Sequence, residues 1–144
     1  MVYKRKAHVL FVGSGDSCRA LMAAAFANSL GQRYMLARAV TLQAFSQMQP
    51  LAEVMREVGL ADFDSSLHPL NSDSLAWADL VITLDAAATA ACPVISAHVQ
   101  QRCYAFTPPE NKEDLRTVRA AIQQRVAGMV GGMQLMEADA NLGA

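Results

Sequence analysis

Gly13, Ser14, Gly15, Asp16, Ser17, Cys18 and Arg19 follow one another directly after the apolar run HVLFV. Small residues let successive backbone N–H groups turn inward, so such a loop can cradle an anion of phosphate size without dedicated side chains. Arg19 adds a planar fork able to grip two oxygens of an oxyanion. Cys18 is a thiol at the start of an alanine-rich stretch, where a helix N-terminus favours the thiolate. Its alternative reading is a small packed residue, the commoner fate of an unpaired cysteine. Asp16 works against the anion, since a carboxylate a few ångströms from a dianion costs on the order of a few kcal/mol unless another group absorbs the charge. Arg19 therefore has two candidate roles: clamping a ligand oxyanion, or pairing with Asp16 or another acid to hold the loop in shape. His8, His68 and His98 stand at unrelated spacings, and no metal or other cofactor is expected from them.

A loop of this kind needs a strand before it and a helix after it. AHVLFV, residues 7–12, reads as a short buried strand, and CRALMAAAFANSLG as a helix with Met22, Phe26 and Leu30 on one face and Gly31 as its stop. Residues 34–40 make a second strand. Leu51, Val54, Met55 and Val58 then fall at helical spacing between Pro50 and Gly59. NSDSLAWA reads as a short capped helix, DLVITLD as a buried strand and RCYAF as a last strand, in which Cys103 is expected to be core. Asn111 is the expected N-cap of a final helix carrying Leu115, Val118, Ile122 and Val126, weakened by Gly128, Gly131 and Gly132. Met22, Met55 and Met129 fall on apolar faces. Strands alternating with helices imply a parallel sheet covered on both faces, and so an α/β three-layer domain with the loop at the carboxyl end of its first strand.

The chain has 144 residues, suited to one domain with a real core, expected over residues 1–132 with a frayed tail over 133–144. Apolar residues make up 53%, charged residues 17%, and the net charge is −1, which excludes disorder and electrostatic binding to nucleic acid. The Lys4-Arg5-Lys6 cluster is read as solvated strand lead-in. No run approaches the length of a membrane span and no signal peptide is recognisable, so a cytoplasmic protein without membrane association is expected. Its cysteines are odd in number and read as reduced thiols.

VLFVGSGDSCRALMAAAFAN resembles the phosphate loop and first helix of the low-molecular-weight protein tyrosine phosphatases and of the related thioredoxin-coupled arsenate reductases. The likeness extends through AEVMREVGLADFDSSLHPLNSDSLAWADLVITLD and CPVISAHVQQRCYAFTPPENKEDLRTVRAAI, covering roughly residues 7–127. It implies a four-stranded parallel sheet flanked by helices. It also implies that Gly13 occupies the position of the nucleophilic cysteine, Asp16 that of a loop asparagine, Ala20 that of a supporting serine and Pro108 that of the general acid. Thr107 and Glu110 lie nearby, but neither replaces that acid without rearrangement. Of the reductases' cysteine relay only Cys92 is matched, with Asp85 at the middle position. These departures give the expectation of a catalytically defective family member, a pseudophosphatase without catalytic residues. It would act by binding a protein partner, a second copy of itself, or weakly an oxyanion such as phosphate, sulfate or arsenate. The competing expectation is an active phosphatase or arsenate reductase with non-standard residues, in which Cys18 and Cys92 carry the redox chemistry.

Overall fold

The computed structural model describes residues 6–14, 18–42, 50–64, 66–91 and 99–142. β1 (Ala7–Gly13) leads through the loop into α1 (Cys18–Leu30), followed by β2 (Met35–Thr41), α2 (Leu51–Arg56) and β3 (His68–Pro69). α3 (Ser72–Trp77), β4 (Leu80–Thr83), α4 (Ala86–Ala91), β5 (Gln100–Cys103) and α5 (Lys112–Leu142) complete the order. All strands pair in parallel in the order β3-β2-β1-β4-β5. The sheet thus has five strands where four were expected. The additional strand is β3, whose His68 and Pro69 pair with Val40 and Thr41, a pairing too short to leave any hydrophobic period in the sequence.

β1 lies at the centre because both its faces are apolar. Val9 and Phe11 face a core shared with α1, α2 and α5, whereas Leu10 and Val12 face a smaller cluster with Val40, Val81 and Ala88. The larger core contains the periodic residues of three helices: Leu21, Met22 and Phe26 of α1, Leu51, Val54 and Met55 of α2, and Leu115, Val118, Ile122, Val126 and Met129 of α5. Burying each large apolar side chain contributes about 1.5–3 kcal/mol, which is why this side of the sheet carries the long helices. Leu30, expected on the same α1 face, is 42% exposed at the end of the helix.

Local signals set the boundaries. Asn71 accepts from the N–H of Ser74 while the Ser74 hydroxyl oxygen accepts from the N–H of Asn71, a reciprocal cap that starts α3. Asn111 caps α5 through the N–H of Asp114 at 2.8 Å. Gly59 ends the α2 region with φ of 81°, a left-handed conformation that costs a side chain-bearing residue energy. α5 passes through its glycines and continues to Leu142, across the segment expected as a tail. α2 is fastened to α5 by Arg116 and Arg119, which each reach a Glu57 carboxylate oxygen at 2.7 Å. The hydrogen bond from Arg116, followed by that from Arg119, pulls the Glu57 carboxyl down to about 2.

β5 corrects the reading of RCYAF. The strand runs from Gln100 to Cys103, every residue in it is exposed, and Cys103 is therefore not core. Among the described elements only β4 pairs with it, and the buried residue of this region is Tyr104, one position beyond, with the Arg125 guanidinium 4.4 Å from its ring centre.

Candidate functional site

The chain builds β2 and β3 on one side of β1 and then β4 and β5 on the other. The sequential order therefore reverses between β1 and β4, and in open parallel sheets the crevice outside the carboxyl ends of such strands is the usual ligand site. Register brings the relevant ends level: Gly13 is paired with Thr41, Val12 with Thr83, and Thr83 with Cys103. Residues just beyond these points are Ser14 after β1, Asp85 after β4 and Phe106 after β5.

Arg19 holds these three together. It lies in the first turn of α1, is only 4% exposed, and projects its guanidinium across the strand ends. Nη1 donates to the Phe106 carbonyl at 2.9 Å, and Nη2 donates to the Ser14 carbonyl at 3.3 Å while lying 3.1 Å from Asp85 Oδ2. The same Oδ2 accepts the Ser14 hydroxyl at 2.8 Å. Asp85 is fixed from its other side, because Oδ1 accepts the N–H of Ala88 at 2.6 Å and its carbonyl accepts the N–H of Thr89, so it caps α4. One carboxylate thus ties Ser14, just beyond β1, to α4. Among the described residues, the acid that pairs with Arg19 is Asp85.

Gly13 closes β1 with its α-carbon turned toward Ala20. A β-carbon placed there would lie 3.3 Å from the Ala20 β-carbon, so a larger residue fits only if Ala20 gives by a few tenths of an ångström. Cys18 is fully buried in the core at the start of α1. Cys103 is an exposed thiol, its sulfur accepting from the hydroxyl of Thr89 in α4 at 3.2 Å, and both it and Cys18 are free. Gly15, Asp16, Ser17 and Cys92 lie outside the described residues, as does His98. Pro108 is exposed in the segment between β5 and α5. His8 sits at the opposite, amino end of β1, stacked on Trp77 at 4.3 Å between ring centres, and serves packing. No cluster with metal-ligand character occurs among the described residues.

In the sequence Asp85 stands only at the position of a missing cysteine, and nothing marks Ser14 and Phe106 as its companions at Arg19. Their contacts span 71 and 87 positions, distances over which no local signal operates.

Residues 8–138 match the low molecular weight phosphotyrosine protein phosphatase family. The chain belongs to that family. Among its relatives, an arsenate reductase of Brevibacillus brevis is 31% identical over 85% of this chain and 93% of its own length. An arsenate reductase of Bacillus subtilis is 30% identical over 85% of this chain and 88% of its own length. In architecture the domain is similar to a low molecular weight phosphotyrosine phosphatase of Vibrio cholerae, with a TM-score of 0.77, 14% identity, and coverage of 89% of this chain and 97% of that one.

These relatives correct the expectation of a defective member that acts by binding alone. Chains about 30% identical over 85% of the sequence are arsenate reductases, which points to an enzyme. The fold holds Cys18 and Arg19 in the first turn of α1, both buried, whatever residues stand at Gly13, Ala20 and Pro108.

Proposed function

We propose that this family member is an oxyanion-handling enzyme of the arsenate reductase type. The observation that carries the reading is the buried Arg19 at the switch point, presented by α1 beside the loop after β1, in a chain whose relatives at 30–31% identity are arsenate reductases. The α1 N-terminus and Arg19 draw a tetrahedral oxyanion to the loop. Reduction converts arsenate and two thiols into arsenite, a disulfide and water, the thiols losing the two electrons that arsenic gains. Cys18, one residue before Arg19, and Cys92 after α4 are the thiols assigned to this step. Because the Cys18 sulfur is wholly buried, reaching arsenic requires the first turn of α1 to open. Gly13 occupies the family's nucleophile position. An external dithiol donor returns the enzyme to its reduced form. The odd number of cysteines suits a reducing compartment such as the cytoplasm.

The experiment is arsenite formation from arsenate by the full-length protein with a dithiol reductant, alongside Cys18→Ser, Cys92→Ser and Arg19→Lys. Turnover above background, abolished by either serine variant and weakened by lysine, is expected. Background-level arsenite from the unaltered protein, or activity indifferent to Cys18, rejects the assignment.

A further inference from the structure

Asp85 places a hydrogen-bond acceptor among the donors that an oxyanion would use. Its Oδ2 faces the Ser14 hydroxyl at 2.8 Å and Arg19 Nη2 at 3.1 Å, and both groups point from the loop side of the site. Asp85 cannot readily turn away, because Oδ1 is engaged by the N–H of Ala88 and the residue opens α4. Its side chain is only 14% exposed, so water is poorly placed to shield it from an incoming anion. Arg19 and Asp85 together carry no net charge, which removes much of the attraction a bare guanidinium would exert on any dianion.

Resting on the oxyanion reading above, we infer that Asp85 makes the site selective for protonated tetrahedral oxyanions, arsenate and phosphate, against sulfate. At neutral pH arsenate and phosphate each keep at least one hydroxyl, which donates to Oδ2 while a remaining oxygen accepts from Arg19. Sulfate keeps none. It would set an anionic oxygen against Oδ2 with no proton between them, and the buried carboxylate would lose part of its pairing with nothing in return. Sites built to take a hydrogen bond from a ligand reject analogues lacking it by up to about 10⁴–10⁵-fold, and the partial exposure of Asp85 lowers the expectation to at least about 100-fold.

The test is calorimetric titration of the reduced, full-length protein at pH 7 with phosphate, arsenate and sulfate, repeated on Asp85→Asn. Asparagine keeps an oxygen for the N–H of Ala88 and replaces the charged acceptor with a donor. Phosphate and arsenate are expected to bind at least about 100-fold more tightly than sulfate to the unaltered protein. In Asp85→Asn that gap closes to less than about 10-fold, chiefly through a gain in sulfate affinity, which a merely structural role for Asp85 would not produce. Sulfate binding as tightly as phosphate to the unaltered protein overturns the inference while leaving an oxyanion site in place. A gap that persists in Asp85→Asn also overturns it. Should none of the anions bind either form, the oxyanion reading itself falls and the inference with it. The anion comparison on the unaltered protein decides the question even if the variant does not fold.

Discussion

Replacing Arg19 with methionine removes the guanidinium and keeps a long apolar stem in the core. Removing one partner of a buried ion pair costs about 3–5 kcal/mol, because the other charge is left behind without compensation. Here the stranded carboxylate retains the Ser14 hydroxyl and the Ala88 N–H, and its side chain is 14% exposed, which brings its share to about 2 kcal/mol. The carbonyls of Phe106 and Ser14 each lose a donor, adding on the order of 1 kcal/mol together. A total of about 3 kcal/mol lowers the thermal midpoint of a domain this size by roughly 10 °C. Urea denaturation of Arg19→Met, Asp85→Asn and the double variant checks the reasoning. The double variant no longer holds a stranded charge and should be more stable than the sum of the single losses implies, by about 1–2 kcal/mol. A cost below about 1 kcal/mol for Arg19→Met, or strict additivity in the cycle, would refute the claim that this pair organises the site.

Glu57 should make the protein acid-sensitive. Its carboxyl is held at about 2 in the fold against 4.5 for the free group, so its contribution is complete above about 4.5 and is lost as pH falls toward 2; Glu57→Gln should flatten that part of the stability profile measured by circular dichroism. Gly59→Ala meets nothing within 4 Å, so its effect is purely the left-handed backbone: a loss of about 1 kcal/mol is expected in denaturant midpoints, and no loss would mean the turn relaxes. Gly13→Cys should fold with a loss under about 1 kcal/mol, because the 3.3 Å approach to Ala20 needs only a small shift, and should raise arsenate turnover in the reductase assay; a large stability loss would show that Ala20 cannot move.

What the sequence disclosed and what it withheld divide by range. The helix faces of α1, α2 and α5, the caps at Asn71 and Asn111, the buried strands β1 and β4 and the half-buried strand β2 rest on residues within a few positions of one another, and their pattern is legible. β3 was not, because its pairing covers only two residues, and α4 was not, because AAATAA shows no amphipathic contrast. Asn28 illustrates a different loss: its amide accepts from the N–H of Ala37 and donates to the carbonyl of the same residue, completing the hydrogen bonding of β2 from the end of α1. Nothing about an asparagine near a helix end announces a partner in the following strand.

The site shows the same division with more consequence. Its loop half could be named from the sequence because Gly13 to Arg19 are contiguous and their types suit an anion, and of these the fold describes Gly13, Ser14, Cys18 and Arg19. The other half depends on β4 lying beside β1 rather than next to β3, which places Asp85 against Ser14 across 71 positions. A residue read from the sequence as one absent member of a thiol relay is, in the fold, the carboxylate on which Arg19 closes and from which α4 starts. Two properties then become linked that separate positions would keep apart. Any anion that draws Arg19 away from Asp85 also weakens the hold of the loop on α4, the helix immediately preceding Cys92. The proposed oxyanion site and α4, the helix that precedes the second thiol assigned to reduction, thus share one side chain. A test of that linkage is whether phosphate changes the alkylation rate of Cys92 in the unaltered protein but not in Asp85→Asn, in which the ionic latch is already open. An equal effect of phosphate on both proteins would show that α4 responds to the anion by a route other than Asp85.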